Sequence, residues 1–160
     1  MPKVLIMCGK ICSGKSTYAE KLKLENKAVI LSVDELTLAL FENQAGEKLD
    51  FYVEKLKEYF LKKSLDIVEA SADVILDWGF WTKKERDYAR EFYDSRNISY
   101  QFYYMNVGID EWKNRILKRN QEIKSEQLEA YPIDKGLLSK VEKMFEEPDR
   151  KELKDMIIVE

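Results

Sequence analysis

The sequence predicts an α/β fold: a three-layer α/β/α sandwich around a five-stranded parallel sheet. Three observations carry that expectation. The run Lys3–Cys8 is continuously apolar after its first residue, as a strand covered on both faces requires. Short apolar, partly β-branched runs then alternate with stretches of helical period. An acidic residue stands at or just past the end of two of those runs, where open parallel sheets place their ligands.

In chain order, Lys3–Cys8 is the first strand and leads into a glycine turn. Thr17–Leu24 carries Ala19 and Leu22 at helical spacing, and Ala28–Leu31 is a second short strand, which makes the start of the chain a βαβ unit. Ser32 or Asp34 caps the next helix, through Leu36, Leu40 and Phe41, and Asn43 to Gly46 break it. Over Phe51–Ala70, Val53, Leu56, Phe60 and Ile67 hold one face of a long amphipathic helix. Val74–Leu76 is the third strand and ends at Asp77; Thr82 caps a helix to about Tyr93; Ser99–Met105 is the fourth strand. A helix from Asp110 through Asn120, a mobile polar stretch Gln121–Pro132, a short helix Leu137–Phe145 and a fifth strand Met156–Val159 follow. Regular alternation of this kind places helices on both faces of the sheet.

With 160 residues, 45% of them hydrophobic, the chain is expected to be one domain, 1–160, whose core needs neither disulfides nor a structural metal. Its 27 basic and 30 acidic residues are spread along the chain, so there is no basic field for long nucleic acid. The apolar run at the start is too short for a secretion signal and nothing approaches a membrane span, so a cytoplasmic protein is expected. Cys8 and Cys12 match no zinc or redox spacing. Histidine is absent, which excludes an imidazole base and leaves carboxylate, lysine, tyrosine or thiolate as proton acceptor.

The residues Gly9-Lys10-Ile11-Cys12-Ser13-Gly14-Lys15-Ser16 match G-x-x-x-x-G-K-[ST] between a strand and a helix, the context that gives this motif its meaning. Such a P-loop turns backbone N–H groups onto phosphates, and side chains at Gly9 or Gly14 would obstruct the approach. Lys15 then reaches the β- and γ-phosphates, the Ser16 hydroxyl ligates Mg²⁺, and Thr17 reaches the α-phosphate. ATP and Mg²⁺ are the cofactors expected.

Asp77, at the end of an apolar strand, is expected to hold the Mg²⁺ hydration shell; its alternative is a helix cap or loop salt bridge. Asp34 is the candidate catalytic base toward an attacking hydroxyl, with Glu35 as fallback; its alternative is the N-cap of the helix that follows. Arg115 and Arg119, four apart on one helix face, are expected to neutralise a phosphoryl in flight as part of a lid at about 115–136; their alternative is a solvated helix face pairing with Glu111 or Glu122. Arg86 and Arg90 share that spacing, with surface pairing to Glu85, Asp87 or Glu91 as the alternative. Trp78, Phe80 and Trp81, with Asp34 and Arg86, are candidates for an acceptor pocket.

Together the stretch Gly9–Thr17, Ser32-Val-Asp-Glu35, Asp77-Trp-Gly-Phe80 with Arg86, Arg115 to Asn120 and Phe145-Glu-Glu-Pro148 resemble the small P-loop kinases that include polynucleotide 5′-hydroxyl kinase, chloramphenicol phosphotransferase and the zeta toxins. The resemblance implies the strand order 2-3-1-4-5, a base at Asp34, lid arginines at Arg115 and Arg119, and an adenine near Phe145 to Pro148. It names no acceptor, because similarity at the ATP site does not carry the acceptor across. The function expected is transfer of the γ-phosphoryl of ATP to a hydroxyl of a small molecule. The competing readings are a polynucleotide 5′-hydroxyl kinase and a nucleotide-dependent switch or ATPase.

Overall fold

The computed structural model describes residues 1–125 and 133–160. Five strands, β1 (Val4–Cys8), β2 (Val29–Ser32), β3 (Val74–Asp77), β4 (Tyr100–Met105) and β5 (Ile157–Val159), form one parallel sheet in the order β2-β3-β1-β4-β5. That is the expected fold class and order. The helices are α1 (Lys15–Asn26), α2 (Val33–Phe41), α3 (Leu49–Glu69), α4 (Lys83–Asp94), α5 (Ile109–Lys124) and α6 (Lys135–Met144).

β1 sits between β3 and β4, with Ile6 opposite Leu76 and Phe102. All five of its residues are fully buried, which explains the unbroken apolar run: alternate side chains serve two cores. Val4, Ile6 and Cys8 pack with Val74, Leu76 and Phe102 beneath α3 and α4. Leu5 and Met7 pack with Ala19 and Leu22 of α1 on the opposite face. β2, at the sheet edge, has no fully buried residue. A third cluster joins Trp112 and Ile116 of α5 and Val141 of α6 to Ile11 and Cys12 of the glycine turn.

Most boundaries differ from expectation by one or two residues, and two of the differences bear on the site. α1 starts at Lys15 instead of Thr17, because Gly14 already makes the left-handed turn into the helix at φ 95°. α5 runs to Lys124 instead of Asn120; Gln121 to Lys124 include good helix formers, although their polarity hides the helical period. The remainder of the stretch read as mobile, and with it part of the expected lid, falls at 126–132, outside the described residues. Among the described residues, no helix is long and apolar enough to cross a membrane.

Candidate functional site

The glycine turn lies where β1 leaves the sheet. Gly9 N–H donates to Gly79 O at 3.0 Å, tying the loop to the turn after β3. A Cβ on Gly9 would lie 2.6 Å from Ser13 Oγ, and one on Gly14 would lie 3.3 Å from Arg115 Nη1 in a left-handed conformation. Both positions therefore need glycine, one for close approach and one for backbone conformation.

Lys15 folds over the loop: its Nζ donates to Lys10 O at 2.6 Å and Gly9 O at 3.1 Å. Ser16 Oγ donates to Asp77 Oδ2 at 2.9 Å. Burial depresses the pKa of Lys15, against the pull of Asp77 and Asp34. Burial likewise raises the pKa of Asp77, opposed by Ser16 and Lys15 and reinforced by Asp34. The charge of Asp34 thus acts on both Lys15 and Asp77, which also act on each other. Thr17 is exposed in the first turn of α1.

The residues fit a nucleoside triphosphate. Gly9 and Gly14 let the loop turn tightly against Ser13, Met105 and Arg115, and the N-terminus of α1 adds favourable dipole ends for anions. Lys15 is held by neutral carbonyls that phosphate oxygens would outcompete. For Mg²⁺ the pair of hard oxygens, Ser16 hydroxyl and Asp77 carboxylate, suits a cation that takes few protein ligands and completes its shell with phosphate and water.

Ser32 decides the question of the α2 cap. Its Oγ accepts the Glu35 N–H at 3.2 Å, so Asp34 is not the cap. The Asp34 carboxylate stands exposed in the first turn of α2, beside exposed Glu35.

α5 crosses the outside of the loop. Arg115 Nη1 donates to Ser13 O at 3.2 Å while its Nε holds Glu111 at 2.9 Å, so the intrahelical pairing and the reach to the loop coexist. Arg119 Nη1 lies 3.4 Å from Cys12 Sγ. The structure thus brings both arginines to the tip of the cradle.

Arg86 is placed elsewhere than expected. It is fully buried, with Nε and Nη2 on the Glu152 carboxylate at 2.9 and 3.2 Å and Nη1 on Phe80 O at 2.8 Å. It faces neither surface acids nor an acceptor, because a carboxylate 66 residues away along the chain encloses it. Arg90 does pair with Asp87, at 3.0 Å. Trp78 and Phe80 belong to the core beneath α3 and α4, stacked 4.7 Å apart and only 6% and 2% exposed. They can close the floor of a pocket but offer no open stacking face. Phe145 stacks on Tyr104 at 6.3 Å, and Glu146 N–H donates to Trp81 O at 2.7 Å.

Three residues of the site escaped sequence reasoning. Gly79 accepts the Gly9 N–H, and a Cβ there would lie 2.1 Å from Trp81 Nε1. Trp112 is fully buried, donates its Nε1–H to Ile11 O at 2.6 Å and carries Lys10 Nζ 4.3 Å above its ring. Glu152 is the partner of Arg86. Only the glycine between two aromatics gave a local signal; the other two roles depend on contacts across the fold.

The family model described as an AAA domain matches residues 4–133. No curated protein matches the sequence. Among solved structures, the chain is similar to Kti12 of Chaetomium thermophilum in complex with ADP-AlF3, with TM-score 0.74 and 15% identity over 98% of this chain and 88% of that one. It is similar to a sugar kinase from Janibacter sp. HTCC2649, with TM-score 0.67 and 15% identity over 99% of this chain and 85% of that one. It is similar also to the Mycobacterium tuberculosis APS kinase CysC, in complex with AMPPNP and APS, with TM-score 0.58 and 16% identity over 84% and 83% of the two chains. These likenesses show a P-loop kinase-like fold.

Proposed function

Because the chain belongs to the AAA domain family, and its fold is shared with sugar and APS kinases, we propose that it is an ATP-dependent kinase that phosphorylates a hydroxyl of a small molecule. The observation that carries this reading over a nucleotide-dependent switch is the freedom of Asp34. With Ser32 serving as cap, Asp34 presents an unsequestered carboxylate whose charge acts on Lys15 and Asp77, where an attacking hydroxyl would need a proton acceptor.

In the proposed reaction the acceptor hydroxyl oxygen bonds to the γ-phosphorus of ATP, the bond to the β–γ bridging oxygen breaks, and ADP leaves. The hydroxyl proton passes to an Asp34 carboxylate oxygen. Lys15 leaves the carbonyls of Gly9 and Lys10 for the β- and γ-phosphate oxygens. Arg115 and Arg119, already at the loop tip, turn their donors to the charge that develops on the transferred group. Ser16 and Asp77 would hold Mg²⁺, which would supply neutralisation of the phosphate charge.

The test is Mg²⁺-dependent transfer of labelled γ-phosphate to sugars, nucleosides, aminoglycoside and phenicol antibiotics and 5′-hydroxyl oligonucleotides, with Lys15→Ala as control. Transfer to a small molecule, lost in the control, is expected. Transfer to the oligonucleotide alone would replace this reading with the polynucleotide one, and acceptor-independent hydrolysis alone would favour the switch.

A further inference from the structure

Beyond the cradle, a cavity of about 370 Å³ opens between α3 and α4. It lies on the face of the sheet opposite α1, beside the carboxyl end of β3. Its floor includes Trp78, which follows Asp77 directly in the chain, and Phe80, next to the Gly79 carbonyl that binds Gly9. α4 starts just past this strand end, and its residues Glu85, Tyr88 and Ala89 line the cavity opposite Phe51 to Leu61 of α3.

The polar groups of the cavity are compensated internally. Lys57 Nζ lies 3.0 Å from Glu85 Oε1 and 3.2 Å from Glu54 Oε1, and Trp78 Nε1–H donates to the same Glu85 oxygen at 3.2 Å. Burial opposes the Lys57 charge, but Glu85 and Glu54 outweigh it and hold the ammonium above its ordinary pKa. Glu58 has Lys62 at 3.8 Å, and Lys55 Nζ sits 5.7 Å above the Phe51 ring. No uncompensated cluster of either sign is left to attract a phosphate or a polycation. What remains is an alternation of ion-paired donors and acceptors above an apolar floor, with two exposed rings at the rim, Phe51 at 58% and Tyr88 at 55%.

Carboxylates and an ammonium in alternation suit hydroxyl groups, each of which donates and accepts. Exposed aromatic faces suit the C–H face of a saturated ring. The volume lies at the small end of ligand pockets, matching one or two rings and excluding a polymer. We propose that the α3–α4 cavity is the acceptor site and that its acceptor is an uncharged, hydroxylated ring: a monosaccharide or the ribose of a nucleoside. This rests on the kinase reading for the word acceptor, but not for the ligand class.

The test is saturation-transfer NMR without nucleotide, on the wild type and on the double variant Phe51→Ala/Tyr88→Ala. The probes are neutral aldoses, ketoses and ribonucleosides, set against glucose 6-phosphate and an aminoglycoside. At least one neutral ring should bind, and its affinity should fall about ten-fold or more in the double variant, which removes only exposed rings and should melt as the wild type does. Lys57→Met provides a second perturbation from the opposite wall and should weaken the same probe. A response to sugars but not nucleosides, or the reverse, separates the two sources of the ring. The proposal is overturned if only the charged probes bind, if no neutral ring binds, or if neutral rings bind both variants as tightly as the wild type. Neutral-ring binding without phosphoryl transfer would leave the ligand class standing and sink the kinase reading; transfer to a charged acceptor would do the reverse.

Discussion

Ser16 Oγ donates to Asp77 Oδ2 at 2.9 Å across 61 residues of sequence, because β1 and β3 are adjacent in the sheet and deliver the loop and the carboxylate to the same end. The pairing holds an acid whose pKa is raised by burial. A carboxyl with a raised folded pKa favours the folded state most when protonated; that contribution is lost as pH rises from the unfolded value, about 3.9, through the folded one. Asp77→Asn has no such loss. The melting temperature of the variant minus that of the wild type, measured without nucleotide, should therefore grow with pH through the acid range and level off once Asp77 is ionised in both states. A difference that is flat with pH would refute the buried-carboxylate account. The same variant should lose Mg²⁺-dependent nucleotide stabilisation.

Asp34→Asn should reduce phosphoryl transfer about 10²- to 10⁴-fold, the range expected for a general base. Its ATP affinity should not fall, since the loop is untouched and the variant only removes a negative charge that acts on Lys15 and Asp77. Glu35→Gln should be far milder, because the role of Glu35 in the structure is its backbone N–H on Ser32. Rapid-quench kinetics with calorimetric ATP titration checks both. Severe loss in Glu35→Gln with an active Asp34→Asn would transfer the role of base to Glu35.

How much of this site was legible depended on how local each signal is. Gly9 to Ser16 is a contiguous motif whose spacing encodes its geometry, and the acids at strand ends follow from the period of the strands. The Ser32 cap was one of two local alternatives, and only a hydrogen bond chooses between Ser32 and Asp34. Arg86 misled because helical spacing shows which neighbours lie on the same face and says nothing about Glu152, brought in by the chain beyond α6. Trp112 was hidden for the same reason: an apolar residue on a helix reads as core, and its bond to Ile11 depends on how α5 crosses the loop.

Gly79→Ala is a direct probe of loop support. A Cβ at this position would lie 2.1 Å from Trp81 Nε1 and 3.1 Å from Gly9 O, so the indole must move and the clasp on Gly9 N–H is pushed away. The cost should be about 1–3 kcal/mol, the scale of overpacking in a filled site. ATP affinity should fall with it, because Gly9 belongs to the cradle. Urea denaturation and ATP titration measure the two effects, and a variant with wild-type stability and affinity would show that the turn after β3 does not support the loop.

Arg86 and Glu152 should show strong energetic coupling. The Arg86 side chain is 1% exposed and that of Glu152 7%, so Arg86→Met alone strands a buried carboxylate and should cost about 3–5 kcal/mol, a large share of a small domain's stability. Replacing both groups, as Arg86→Met/Glu152→Leu, removes the charge imbalance and should recover part of that loss, so the double variant will be more stable than the sum of the single effects predicts. It should not recover all of it. Arg86 Nη1 also donates to Phe80 O at 2.8 Å, and Phe80 has the left-handed φ of 46°, which a side chain rarely adopts without support. The remaining donor to that carbonyl is the Cys8 thiol, at 3.6 Å, which burial pushes up to about 11 and so keeps protonated. The residual destabilisation of the double variant in a denaturant-unfolding cycle thus reports the support Arg86 gives to Phe80, and through Gly79 to the phosphate loop. If the single effects simply add, the pair is not coupled, and the clasp between the C-terminal segment and the β3 turn has no energetic reality.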